Sequence, residues 1–297
     1  MRPVLSTGSI ALDIATTIGG WPRGHLIELI GDATTGKTTL SLLACRSAQR
    51  IGAAAALLDA DHTFDPVYAY ALGLERRGLV VAEPETGEEA LAVAYRLLRT
   101  GEVACLVIDA VPSLLPAAVR EKPVGAVDGL AQRRMLGAGV KELARLAPRF
   151  EAVVLLVNRP AMRPGELGGW VEDSVGGRRL RETAALRVRL TSTSMRADAM
   201  RVRATVEKND LAGPAATDLV LRWGSGVDGS TDLLAGAFDL GLITVDHHRQ
   251  LYLGRVCLGR FEQARAAMVG ELGRRVADAV AARLPWQDGP EPATPLA

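Results

Sequence analysis

The segment Gly31-Asp-Ala-Thr-Thr-Gly36-Lys37-Thr38 has residue types and spacing suited to holding a polyphosphate. Its glycines let the backbone fold back, so that successive N–H groups converge on one concavity that suits an anion. Asp32, Ala33, Thr34 and Thr35 lie between the glycines, and Thr39 follows. Lys37 can reach terminal phosphates, and the Thr38 hydroxyl can serve Mg²⁺. The ligand implied is a nucleoside triphosphate. A second signature is Cys105-Leu-Val-Ile-Asp109, an apolar run closed by a carboxylate that can hold Mg²⁺ through its water shell. A third apolar run closes in Asp59-Ala-Asp61-His62, with Asp65-Pro-Val-Tyr68 just beyond.

These groups need a frame. Leu26 to Ile30 reads as a buried strand and Thr38 to Arg50 as a helix that aims its positive N-terminal end at the same phosphates. Strands over Ala53–Leu58, Leu79–Ala82, the run ending in Asp109, and Ala152–Val157 alternate with helices over Gly87–Arg99 and Leu130–Leu146. That alternation predicts an α/β fold with a doubly wound, mostly parallel sheet. In such a sheet, carboxylates at strand C-terminal ends face the ligand crevice. Leu186–Leu190, Met200–Val206 and Thr217–Trp223 alternate with period two and extend the sheet as half-exposed antiparallel strands. Two stretches rich in turn residues, 116–129 and 160–177, read as long loops, a length usually tied to function.

A shift to Gly, Ser and Asp near 224–230 suggests a boundary between a core over residues 1–229 and a small α+β unit over 230–286. That unit should hold a short helix, a turn region and one amphipathic helix whose stripe includes Phe261, Ala264, Met268, Val276 and Val280. Residues 287–297 are Pro-rich and read as a disordered tail. The formal charge of +1, from 35 basic and 34 acidic residues, neither demands nor excludes nucleic acid, because a local basic surface suffices. The chain's four lysines are Lys37, Lys122, Lys141 and Lys208. Cys45, Cys105 and Cys257 lie in apolar surroundings without paired spacing and read as reduced core thiols. With no leader and no spanning apolar run in the sequence, a cytoplasmic protein without a membrane partner is expected.

The order of motifs resembles the bacterial RecA recombinases. Its landmarks are L-S-T-G-S-I-A-L-D from Leu5, G-G-W-P-R-G from Gly19, the phosphate loop, L-D-A-D-H-T-F-D-P-V-Y-A from Leu58, V-N-R-P from Val157, V-G-G-R from Val175 and V-E-K-N-D from Val206. The resemblance implies a RecA-like phosphate-loop core binding ATP and Mg²⁺. Residues 31–39 would cradle phosphate, Thr38 and Asp109 would serve the metal, and Asp65 and Tyr68 would contact adenine. The loops at 116–129 and 160–177 would line single-stranded DNA. Arg133, Arg134, Arg163, Arg178 and Arg179 would contact its phosphates, with Trp170 as a stacking platform. A solvated side chain is the alternative for any one of these arginines.

Departures from the family pattern bear on catalysis. The glutamate that orients the attacking water is Asp61 here, shorter by one methylene, and the glutamine that senses the γ-phosphate is Arg159. Two lysines that reach a neighbour's γ-phosphate are represented by Lys208 and Asp210. The family's N-terminal docking element and acidic C-terminal tail have no counterpart in the sequence. Three readings stay open. One is a DNA-dependent ATPase that coats single strands and pairs them with duplex DNA. Another is an ATP-binding regulatory paralogue acting with itself, another RecA-family member or a repair protein. The third is an unrelated phosphate-loop kinase, which lacks a recognisable substrate lid.

Overall fold

The computed structural model describes residues 3–120, 129–164 and 168–284. In chain order the first elements are β1 (Val4–Leu5), α1 (Ile10–Ala15), β2 (Trp21–Pro22), β3 (Leu26–Gly31), α2 (Lys37–Arg50), β4 (Ala54–Asp59), α3 (Pro66–Ala71), β5 (Leu79–Ala82), α4 (Gly87–Thr100) and β6 (Val103–Asp109). A 3₁₀ turn over Val111–Ser113 leads to α5 (Ala117–Arg120), α6 (Gly129–Leu146) and β7 (Val153–Asn158). Next come β8 (Pro160–Pro164), β9 (Trp170–Ser174), α7 (Arg178–Thr183), β10 (Leu186–Met195), β11 (Ala199–Asn209), β12 (Ala216–Arg222) and β13 (Gly226–Val227). The C-terminal part holds α8 (Gly229–Asp239), β14 (Ile243–Val245), β15 (Leu251–Leu253), β16 (Val256–Gly259), α9 (Phe261–Ala267) and α10 (Glu271–Ala281).

One sheet organises the molecule, in the order β13-β12-β11-β10-β3-β7-β6-β4-β5. The neighbours from β10 through β5 are parallel, and β11, β12 and β13 add an antiparallel wing. The mixed α/β sheet expected from the alternating runs is thus present. Strands buried on both faces must be apolar nearly throughout, as in Cys105-Leu-Val-Ile108. One face carries α1 and α2 (Leu12, Leu40, Leu43 and Ala44 are buried), and the other carries α4 and α6 (Leu91, Leu98, Leu136 and Leu143). A third buried cluster joins Ile10 to Leu234, Ile243, Met268, Val276 and Val280. Among the described residues no helix is long and apolar enough to cross a membrane.

The structure differs from the sequence expectations in five places. Within the expected loop at 160–177, β8 and β9 pair antiparallel, from Pro160 opposite Ser174 to Pro164 opposite Trp170, and form a ribbon. Its base is anchored by charge, which hydrophobic periodicity does not reveal. Asp173 accepts from Arg181 at 2.7 Å and faces Arg187 at 3.4 Å, while Arg187 bonds the fully buried Glu28 of β3 at 2.7 Å. The C-terminal amphipathic stretch is two helices, because the chain leaves α9 at Met268 and restarts α10 from an extended Gly270. The turn region before it is the three-stranded meander β14-β15-β16. Cys257 is exposed on that meander, whereas Cys45 and Cys105 are buried. Of the expected loop at 116–129, residues 117–120 begin a helix, and 121–128 lie outside the described residues, as does the tail at 287–297.

Candidate nucleotide and nucleic-acid site

The phosphate loop spans the gap between β3 and α2. Gly36 is its N-cap residue at φ 86°, a left-handed conformation, and a side chain there would run into Leu221 of β12. At Gly31 a Cβ would lie 2.7 Å from the carbonyl oxygen of Leu190. Both positions therefore require glycine. Lys37, nearly buried, donates to the Asp32 carbonyl, so its ammonium is folded back over the loop. Burial lowers its pKa, Asp109 opposes that, and the nearby Arg159 adds to it.

Thr38 donates its hydroxyl to Asp109 Oδ2 at 2.9 Å, across the ends of α2 and β6. Asp59 and Asp109 stand in register on neighbouring strands, so carboxylates gather at one sheet edge. Burial, opposed by the Thr38 hydrogen bond and reinforced by Asp61 and Asp59, raises Asp109 to a pKa of about 6. All these side-chain donors are oxygens, the set that Mg²⁺ prefers, and a cation would relieve the repulsion among them. The residues fit the metal.

The far end of the site is built by strand ends. Asp61, just beyond β4, accepts from Ser113 on Oδ1 and from Arg159 Nη2 on Oδ2 at 3.1 Å. Arg159 follows β7 directly, and Pro160 begins the ribbon. At the opposite end a cleft is lined by Thr34 to Thr39, Tyr68, Met200, Leu221, Arg222, Trp223 and Gly224. The Tyr68 phenol and Thr39 hydroxyl share a 2.7 Å hydrogen bond, which fixes the ring at the cleft wall. Asp65 caps α3, with Oδ1 accepting from the amides of Val67 at 2.8 Å and Tyr68 at 3.2 Å.

A family model described as the RecA N-terminal domain matches residues 2–228. The chain belongs to the RecA family. Relatives named Protein RecA include those of Thermotoga neapolitana (36% identical, covering 81% of this chain and 70% of that one) and Clostridioides difficile (36%, 81% and 71%). A third, from Chlorobaculum tepidum, is 36% identical with the same coverage, 81% and 71%.

Within this RecA-family fold, the basic residues singled out in the sequence fall into two groups. Arg133 and Arg134 are exposed on α6, and Arg178 and Arg179 are exposed at the start of α7. The Arg133 stem packs over Gly177 and the Arg179 stem over Gly137, so the two helix ends form one basic surface. Arg178 also reaches Glu182 at 2.5 Å. Arg163 lies on β8 opposite Val171, and Trp170 is 69% exposed on β9.

Lys208 sits elsewhere. Its ammonium donates to the carbonyls of Ala184, Glu182 and Arg181 at 2.6, 2.9 and 3.4 Å, and pairs with Asp210 at 3.0 Å. It thus caps the C-terminal end of α7 within its own chain, a role suited to a cation. Asp210 is turned to Lys208, and Arg159 to Asp61. Sequence reasoning missed Trp223, Ser113, Glu28 and Arg187. A tryptophan followed by Gly-Ser-Gly and a glutamate inside L-I-E-L-I were the available signals.

Proposed function

We propose that this chain is a RecA-like, ATP- and DNA-binding protein of homologous recombination and DNA repair. It takes Mg²⁺–ATP at the phosphate loop, binds single-stranded DNA beside the β8–β9 ribbon and hydrolyses ATP slowly. The observation that carries this reading is the continuity of β7: its end places Arg159 against Asp61 at the nucleotide site, and the next residue starts the ribbon. In this reading one strand end would meet both proposed ligands.

In this reading the amides of residues 31–39 and Lys37 hold the phosphates. Tyr68 and Trp223 flank the base, and Asp65 meets its edge. Thr38 and Asp109 hold Mg²⁺, which screens phosphate charge when bound. Asp61 orients the attacking water, and shortening that carboxylate from glutamate slows the step, because misplacement by roughly 1 Å can lower rates by ~10²-fold. The Arg133, Arg134, Arg178 and Arg179 surface takes strand phosphates, with Arg163 of β8 as a further contact, and Trp170 stacks on bases.

A second reading, a regulatory paralogue with little hydrolysis that acts with another RecA-family or repair protein, is favoured by Lys208. A lysine committed to three carbonyls and Asp210 is poorly placed to stabilise a neighbour's γ-phosphate. Fluorescence anisotropy of a labelled oligonucleotide tests the shared part of both readings. Single-strand binding should appear with a non-hydrolysable ATP analogue and weaken with ADP. Equal binding in all nucleotide states, or none, would contradict it.

A further inference from the structure

Trp223 stands half-exposed on a tight turn between β12 and β13, whose base is the pairing of Arg222 with Gly226. The turn is tied down on three sides. Toward α3, Gly226 at φ 79° packs on Leu72, the residue that closes the helix carrying Tyr68, so closely that a Cβ would come within 2.5 Å of it. Toward the turn between β10 and β11, the Trp223 amide donates to the Asp198 carbonyl at 3.2 Å, and its indole Nε1 donates to the Arg196 carbonyl at 3.3 Å. The third tie is Arg222, whose Nη1 donates to Asp198 Oδ2 at 3.0 Å and whose Nε donates to Asp228 Oδ2 at 2.5 Å. Asp228 is a fixed point. Its side chain is only 5% exposed, its Oδ1 accepts from the Thr231 amide at 2.9 Å to cap α8, and Arg265 of α9 stands 3.7 Å from Oδ2. Burial opposes its ionisation, but the Thr231 amide and Arg222 hold its pKa below the usual carboxylate range. The helix it caps is itself pinned, because Asp232 in its first turn accepts from the Ser9 hydroxyl and the Ile10 amide of α1. Arg222 thus ties an exposed carboxylate (Asp198, 68% exposed) to a buried, anchored one.

We propose that Arg222 is a positioning residue for the nucleoside: by joining Asp198 to Asp228 it holds the Trp223 turn against the cleft, and so sets how much base and sugar add to the affinity supplied by the phosphates. An aromatic wall gives its full stacking contribution only when it is already in place, since ordering a loose turn on binding is subtracted from the affinity. Two carboxylates on one guanidinium supply that order, because the planar fork fixes the direction of both. Neither Asp198 nor Asp228 lines the cleft, whereas Arg222 and Trp223 do. An effect of either carboxylate on nucleoside affinity must therefore pass through Arg222 or the turn. The inference rests on the nucleotide reading above, but it requires neither DNA nor turnover.

The test is titration calorimetry of a Mg²⁺-bound non-hydrolysable ATP analogue and of Mg²⁺–tripolyphosphate, which carries the phosphates without a nucleoside. The readout is the ratio of the two affinities in the wild type, Trp223→Ala, Arg222→Met, Asp228→Asn, Asp198→Asn and the Arg222→Met/Asp228→Asn double variant. Trp223→Ala should lower that ratio about tenfold, the scale of one lost base stack. Arg222→Met should lower it about fivefold, and Asp228→Asn and Asp198→Asn about two- to threefold each, the scale of partly exposed ion pairs. The double variant should lose no more than Arg222→Met alone, because both changes break one link. Affinity for tripolyphosphate should stay at the wild-type value throughout. Asparagine keeps the Oδ1 that caps α8, and Asp198 is exposed, so these two variants carry the test even if Arg222→Met fails to fold. A ratio unmoved by Asp228→Asn and Asp198→Asn would overturn the inference. Equal losses for both ligands would do the same, since a merely structural role weakens the whole site. Further loss in the double variant would show that Asp228 acts apart from Arg222 and would also overturn it. If the wild type binds neither ligand, the nucleotide reading fails and this inference with it; if it binds both and the ratio does not move, this inference fails alone.

Discussion

In the proposed reading, nucleotide binding turns on Lys37. Its ammonium lies folded on the Asp32 carbonyl beside the Thr38–Asp109 hydrogen bond. Lys37→Ala should abolish ATP binding in calorimetry while the circular dichroism spectrum is unchanged; undiminished binding would contradict the assigned site. Asp109 adds a pH dependence. Burial, countered by Thr38 and aided by Asp61 and Asp59, keeps its carboxyl protonated up to about pH 6 in the nucleotide-free protein. Mg²⁺ needs the ionised form, so the proton must leave on binding. Affinity for Mg²⁺–nucleotide should be flat above that pH and fall by up to about tenfold per unit below it. Affinity that rises on acidification would refute the role given to Asp109.

At the scale of elements, the ribbon and α7 are positioned by ions. Arg187, 8% exposed, bonds Glu28 of β3 and reaches Asp173, Ser174 and Glu207, which links four strands. Removing one partner of a buried pair strands the other charge, at about 3–5 kcal/mol. Arg187→Met should therefore lower the urea midpoint sharply, whereas Glu28→Gln/Arg187→Met should recover part of the loss. Full stability of the single variant would contradict this view. Lys208→Met should lower stability by about 1–2 kcal/mol through loss of the α7 cap. If instead it leaves the unfolding midpoint alone and cuts turnover, the lysine acts on nucleotide.

The same elements show what the sequence made legible. Glycine spacing and the carboxylates closing apolar runs located the phosphate loop, Asp61 and Asp109, because those signals are local. The antiparallel wing was readable from period two, although β10 and β11 run five and three residues beyond Leu190 and Val206, to Met195 and Asn209. Ser113 and Trp223 were not readable as site residues. Ser113 meets Asp61 across 52 positions of sequence, and Trp223 reaches the cleft only because β12 packs near the loop. The ribbon was hidden by its glycines and prolines, and its anchor is a long-range charge network rather than a hydrophobic repeat.

For the whole molecule, the parallel sheet gathers the groups proposed to hold nucleotide at the C-terminal ends of β3, β4, β6 and β7, and the ribbon leaves from the same edge. The basic surface on α6 and α7 lies beside it. A chain of near-neutral net charge should still bind single strands electrostatically through that local surface. With three to five phosphates neutralised, log affinity against log salt should slope by roughly −2 to −3.5. A slope near zero in a salt titration would exclude the arginines as phosphate contacts. In the proposed reading one strand end joins nucleotide to DNA. ATP turnover measured with and without single-stranded DNA tests it most directly. Turnover should be slow, rise several-fold with single strands and vanish in Lys37→Ala. Turnover in the wild type that is indifferent to DNA would contradict the coupling.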